Sequence, residues 1–260
     1  MNLQYEDAGG DGIPVLALHG TFGRGRTFAA VAERLSPDYR LIAPDLRGHG
    51  RSPHGLGDYG RNAFIKDVAE LIEALHVAPL PVIGHSLGGV TAFQLAARRP
   101  ELVAAVVVED VGAVTDESEL PEPVLDVTGW PTRFSGRREA EEFFGQTPAP
   151  SYFLESVVAE DAGWELLFDL DEMMAVQWGN VGVWWDDWTA VRQPMLLLRA
   201  TDSFLLSERL ASEMVRRRPG TELVTFDGTG HWIHRKDPDR YAATIRAFFE
   251  QLTTSRPPGG

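Results

Sequence analysis

Pro81-Val82-Ile83-Gly84-His85-Ser86-Leu87-Gly88-Gly89 reads as a buried strand, a tight turn and the start of a helix. An apolar strand that enters a helix through G-x-S-x-G forces its serine into a strained backbone conformation and lifts the hydroxyl clear of the sheet edge. Gly84 and Gly88 make room for that turn, because a side chain two residues on either side of Ser86 would meet the neighbouring strand or helix. In a chain with 26 glycines the string alone is a modest signal. Its surroundings decide what it means.

Upstream, Pro14-Val15-Leu16-Ala17-Leu18 is an apolar strand running into His19-Gly20-Thr21-Phe22-Gly23. A loop at a strand's carboxyl end is where α/β sheets present ligand-binding groups. A helix over 26–35 precedes the strand Leu41-Ile42-Ala43-Pro44, and a polar loop, Asp45-Leu46-Arg47-Gly48-His49-Gly50-Arg51-Ser52, follows it. Asp45, Arg47 and His49 have catalytic side chains, but turns of this composition hold themselves together by side-chain to backbone hydrogen bonds, and the structural reading is preferred. The apolar spacing of Phe64, Ile65, Val68, Leu71, Ile72 and Leu75 predicts a one-sided helix over 62–76. Downstream of Ser86 a helix is expected to about Arg98, then the unbroken apolar strand 103–108, which ends at Glu109-Asp110. Strand and helix alternating in this way predict an α/β fold, a mostly parallel sheet covered by helices on both faces.

Between 112 and 190 the alternation stops. Six of the seven tryptophans lie there, at 130, 164, 178, 184, 185 and 188, together with 17 acidic and 3 basic residues, a difference that equals the net charge of −14 of the whole chain. This is read as a helical insertion, with most of its tryptophans building its own core. The α/β pattern resumes at Pro194-Met195-Leu196-Leu197-Leu198, with a helix near 206–217, a strand at 222–226 and the loop Asp227-Gly228-Thr229-Gly230-His231. A glycine-bracketed loop leaving a late strand is a perch from which one imidazole can reach a serine. The expected division is a core of residues 1–111 and 191–252, an insertion of 112–190, and a disordered tail at 253–260.

Composition narrows the function. The chain contains no cysteine, which excludes a thiolate metal site and a cysteine nucleophile. Its negative balance argues against a nucleic-acid partner. No membrane span or signal peptide is visible, so a cytoplasmic protein without a membrane partner is expected.

Taken together, His19-Gly20, the 45–52 loop, Gly84-His85-Ser86-Leu87-Gly88-Gly89 and Gly230-His231, in this order, resemble the α/β-hydrolase family across nearly the whole chain outside the insertion. The resemblance implies about seven strands and a lid formed by 112–190. It implies Ser86 as nucleophile and His231 as base, with Leu87 and Thr21 offering backbone N–H groups to an oxyanion. The acid is either Asp110, 24 residues after Ser86, or Asp202, where the usual Gly-x-x-Asp reads Ala200-Thr201-Asp202-Ser203 and Ser203 takes the acid's place. Asp110 is preferred, with Glu109 as an outsider. Phe22, His85, Trp184, Trp185 and Trp232 are candidate substrate contacts.

A serine at the nucleophile position implies acyl transfer from an ester, lactone, thioester or amide, with no metal or organic cofactor, and the aromatic, acidic insertion implies a small, neutral substrate with an apolar or aromatic acyl group. An acyltransferase, a non-covalent lyase, isomerase or cyclase, and a ligand-binding member of the fold stay open, as does the oligomeric state.

Overall fold

The computed structural model describes residues 2–160 and 163–254. The first half alternates as the sequence pattern predicts: β1 (Tyr5–Asp7), β2 (Ile13–Leu18), α1 (Ala29–Leu35), β3 (Tyr39–Pro44), α2 (Arg61–Leu75), β4 (Leu80–His85), α3 (Leu87–Arg98) and β5 (Val103–Glu109). The insertion carries β6 (Arg133–Phe134), α4 (Arg137–Phe144), α5 (Pro150–Leu154), β7 (Val157–Glu160), β8 (Gly163–Leu166), α6 (Leu170–Gly179) and α7 (Trp185–Ala190). The core then finishes with β9 (Met195–Ala200), α8 (Glu208–Arg217), β10 (Thr221–Phe226), α9 (Ile233–Lys236) and α10 (Pro238–Thr254).

Seven strands form one sheet in the order β1-β3-β2-β4-β5-β9-β10. Every pairing is parallel except that of β1 with β3. The central strands are apolar at nearly every position because both of their faces are covered. Leu16, Leu18, Val82, Val106 and Val108 point into the layer of α2, α3 and the insertion. Their neighbours Val15, Ala17, Ile83, Ala105 and Val107 point into the layer of α1 and α10. This period-2 division within an unbroken hydrophobic run fixes the register, since a one-residue slip would exchange the two faces. The carboxyl ends of β2, β4 and β5 lie side by side at the centre of the sheet, where loops can converge on one crevice.

The insertion differs from the helical reading. Alongside its four helices it holds a three-stranded antiparallel sheet, β6-β8-β7. Strands of two to four residues are too short to display an alternating pattern in sequence. Nor is its core separate: Phe144, Phe153, Met173, Val176 and Trp188 belong to the same buried cluster as α3 and β4. At the other end, Thr253 and Thr254 form the last turn of α10 where a disordered tail was expected, and 255–260 lie outside the described residues. No helix among the described residues is long and apolar enough to cross a membrane.

Candidate active site

Ser86 sits between β4 and α3 with φ 52° and ψ −117°, a left-handed conformation that a non-glycine residue adopts at a cost of about 1–3 kcal/mol. Its backbone N–H donates to the Glu109 carbonyl at 3.0 Å and its own carbonyl accepts from Val90 N–H at 3.0 Å, so the turn is held from both sides. The two flanking glycines are sterically required. A Cβ on Gly84 would lie 2.2 Å from the Gly88 carbonyl oxygen, and one on Gly88 would lie 2.2 Å from that of Leu18.

Asp110 follows β5 directly and is fully buried. Its Oδ1 accepts the Ala200 N–H at 2.9 Å, and its Oδ2 accepts the Ser203 hydroxyl at 2.6 Å and His231 Nδ1–H at 2.9 Å. Three donors around one carboxylate leave it a single orientation, aimed at the imidazole. Asp202 is exposed, and its side chain meets the Thr201 hydroxyl at 3.3 Å while its N–H donates to the Thr229 carbonyl. The pairing with His231 therefore goes to Asp110. Ser203, which stands where the late acid would stand, orients the early one and also accepts N–H bonds from Leu205 and Leu206.

Ser86, His231, Thr21, Phe22, His85 and Trp232 line one cavity of about 230 Å³. The insertion supplies much of the opposite wall, including Leu120, Val124, Leu125, Phe153 and Val181. Thr21 and Phe22 are held in place from the insertion: the Tyr152 hydroxyl donates to the Gly20 carbonyl at 2.9 Å, and the Ser156 hydroxyl donates to the Phe22 carbonyl at 2.8 Å. These two residues were missed in sequence, where nothing local connects positions some 130 apart. Gln177, also on the cavity, clasps Leu125 with both amide atoms, accepting its N–H and donating to its carbonyl at 2.9 Å each.

Trp184 and Trp185, expected at the substrate, lie elsewhere. The Trp184 indole N–H donates to the Thr115 hydroxyl at 2.9 Å, and Trp185 lies under the Arg217 guanidinium at 4.1 Å. Trp188 is fully buried, but against Phe93 of α3, so it packs into the main core rather than a core of the insertion's own.

The buried histidines His19, His49 and His85 lie on this side of the core, and of the three only His85 lines the cavity. Burial pushes His19 down to about 4 and His49 to about 3, and holds His85 well below its ordinary value. His19 Nε2 accepts the Leu46 N–H while Nδ1–H donates to the Gly20 carbonyl, which defines a neutral ring. His85 Nε2–H donates to the His231 carbonyl at 3.1 Å and so braces the loop behind the imidazole. The 45–52 loop is structural, as read: Asp45 accepts N–H bonds from Gly25 and Arg51, and Arg47 pairs with buried Asp67 at 2.6 Å. Ligand-type atoms of His85, Glu109 and His234 lie within 4.8 Å of one another, yet His234 Nδ1 and Glu109 are bonded to each other at 2.8 Å and His85 to the loop.

Comparison with known proteins gives a consistent answer. Lipase LipV of Mycobacterium tuberculosis is 29% identical over 253 residues, covering 90% of this chain and 92% of that relative. The sn-1-specific diacylglycerol lipase of Xenopus tropicalis is 26% identical over 266 residues, covering 96% and 82%. The crystal structure of E-2-(acetamidomethylene)succinate hydrolase superposes with a TM-score of 0.88 at 25% identity over 95% of each chain. A model of the alpha/beta hydrolase family matches residues 15–244. With a match over that span, the chain belongs to the alpha/beta hydrolase family and is an enzyme of that fold.

Proposed function

We propose that the chain is an esterase-type serine hydrolase, which transfers a small acyl group to Ser86 and then to water. The observation that carries this reading is the Asp110–His231 pair at 2.9 Å, whose imidazole lines the same cavity as a strained Ser86. Asp110 fixes the proton on His231 Nδ1, which leaves the Nε2 lone pair to take the Ser86 proton as the hydroxyl oxygen attacks the carbonyl carbon. The carbonyl π electrons move onto oxygen, where the Leu87 and Thr21 N–H groups stabilise the charge. Leu87 opens α3, so the positive end of that helix adds to the effect. As the intermediate collapses, the bond to the leaving alcohol breaks and His231 delivers its proton there. Water attacks the acyl-enzyme with the same base and the acid is released, restoring Ser86.

In this reading the substrate is small, neutral and apolar, and residues 112–190 act as the lid over it. The cavity volume is below the range usual for drug-sized ligands, and Phe22, Leu120, Leu125, Phe153 and Trp232 dominate its walls. The neighbouring succinate hydrolase is named for a dicarboxylate. Among the described residues no lysine or arginine lines this cavity and Glu122 does, so an acyl group bearing carboxylates would be desolvated without a cation to meet it. Two relatives named as lipases support an ester carbonyl as the reacting group.

Fluorophosphonate labelling followed by peptide mass spectrometry tests the reading without knowledge of the natural substrate. The expected result is one adduct, on the Ser86 peptide, that is absent from Ser86→Ala. An unlabelled but folded wild-type protein would overturn the nucleophile assignment.

A further inference from the structure

On the other side of α5 from Ser86 there is a second recess, of about 550 Å³. Arg24, Arg26, Arg137 and Arg235 line it, with Glu155 as the one carboxylate among its described lining residues. In a chain of net charge −14 such a gathering of cations calls for a cause. Docking of the insertion accounts for two of the four. Glu155 bridges Arg26 at 3.5 Å and Arg235 at 3.2 Å, and Arg235 also donates to the Ser151 carbonyl.

The other two are not explained in that way. Arg24 has a side chain only 10% exposed; its Nη2 pairs with Glu6 of β1 at 3.4 Å, while its Nε lacks a hydrogen-bond partner. That atom is 3.8 Å from Asp45, whose oxygens already accept two backbone N–H groups. Arg137 belongs to α4, so an arginine of the insertion shares the recess with three from the core, and its ion pair is with the exposed Glu141 of its own helix. Each of the four guanidiniums has a carboxylate partner, Glu6, Glu155 or Glu141, but Arg26 and Arg235 share theirs and each fork has more N–H donors than that partner takes up, so an anion set between them would still be attracted. Guanidinium forks match the oxygens of a phosphate, to which they bond in bidentate fashion. Apart from Ser151 the remaining wall is apolar, formed by Ala140, Leu154, Val157, Val158 and the Trp164 ring, over which Arg137 lies at 6.0 Å, and an inorganic ion would leave that wall unfilled.

We propose that this recess binds a small organic phosphate, with its phosphate held by Arg24, Arg26, Arg137 and Arg235 and its carbon part against Trp164 and Leu154. The site is distinct from the Ser86 cavity but shares three elements with it. The loop that offers Thr21 and Phe22 to one cavity offers Arg24 and Arg26 to the other, α5 offers Phe153 to one and Leu154 to the other, and Trp232 and Arg235 divide likewise. An occupant of the recess therefore touches the segments that shape the catalytic cavity.

Calorimetric titration of the full chain with AMP, and separately with inorganic phosphate, tests the proposal. Saturable one-to-one binding of AMP is expected, tighter than that of inorganic phosphate and weakening as salt is raised. The double variant Arg26→Gln/Arg137→Gln, whose two side chains are more than half exposed and dispensable to the core, should bind AMP at least about tenfold more weakly. Absence of saturable binding at millimolar AMP, or an affinity unchanged in the double variant, would overturn the site. Equal affinity for inorganic phosphate would overturn the organic part of the assignment. Because Ser86→Ala should bind AMP as the parent does, the result does not depend on the hydrolase reading.

Discussion

Glu109 and His234 form a second carboxylate–imidazole pair directly beside that of Asp110 and His231. Glu109 Oε1 accepts His234 Nδ1–H at 2.8 Å and the His234 backbone N–H at 3.0 Å, with both side chains fully buried. Consecutive residues at the end of β5 thus grip the chain after β10 at two points, one at the imidazole facing the cavity and one three residues later, in α9. His85 supplies a third grip through the His231 carbonyl. The position of the His231 ring is determined by these fixed groups rather than by the loop's own conformation, which two glycines would leave free.

Loosening the second pair should therefore be felt in both stability and rate. Glu109→Gln retains one acceptor but opposes the amide NH₂ to Nδ1–H, at an expected cost of about 1–3 kcal/mol. Its kcat should fall with KM little changed, because the base is displaced while the cavity walls stay. Thermal melts and steady-state kinetics on one activated ester check this. A variant with parental Tm and parental kcat would show that the pair neither supports nor positions anything.

Ser86→Ala and His231→Ala should each remove ester hydrolysis by a factor on the order of 10⁶ while leaving circular dichroism unchanged. Ser86→Gly should be as inactive but more stable than Ser86→Ala, by about 1 kcal/mol, since glycine relieves the φ of 52°. Urea unfolding of the two variants measures the difference. If alanine proves the more stable, the turn is not strained.

The two aspartates separate cleanly by kinetics. Asp110→Asn should lower kcat/KM by about 10⁴, the cost of losing the orienting carboxylate in a serine protease triad, whereas Asp202→Asn should stay within a few fold of the parent. A crippled Asp202→Asn with a healthy Asp110→Asn would reverse the assignment.

Stability should fall on acidification well before the carboxylates titrate. Burial lowers the folded-state values of His19 to about 4 and of His49 to about 3, and holds His85 well below its ordinary 6.5. Between those values and 6.5 the unfolded chain binds the protons that the folded one refuses, so stability is lost as pH drops below 6.5 and the loss levels off beneath the folded values. Each histidine contributes about 1.4 kcal/mol per pH unit within the window. Urea unfolding at pH 7, 6 and 5 should yield a slope approaching three protons between 6 and 5. A slope below one would mean that these rings accept protons in the native state.

How much of this was legible in the sequence depends on whether a feature is local. The Ser86 turn could be read because strand, glycines and helix start are contiguous, and Asp110 because it ends an unmistakable buried strand. Ser203 could be seen to occupy the late acid's place, but its bond to Asp110 spans 93 residues and leaves no pattern. The same is true of Tyr152 and Ser156. The directions of the insertion tryptophans were hidden for another reason: Trp184 and Trp185 lie at the start of a helix six residues long, too short for periodicity to say which face is buried.

The bonds from Tyr152 and Ser156 to the carbonyls of Gly20 and Phe22 divide the insertion into two parts with different freedoms. The part built on α5 cannot swing away without unsettling the loop that carries Thr21, so traffic through it would interrupt the chemistry. The segment 120–125, clasped to Gln177 but without such a bond to that loop, can change shape or sequence while the reacting groups stay put. On the proposed function, altered substrate range is thus most readily evolved, or engineered, along 120–125, leaving Ser86, His231 and Asp110 as they are.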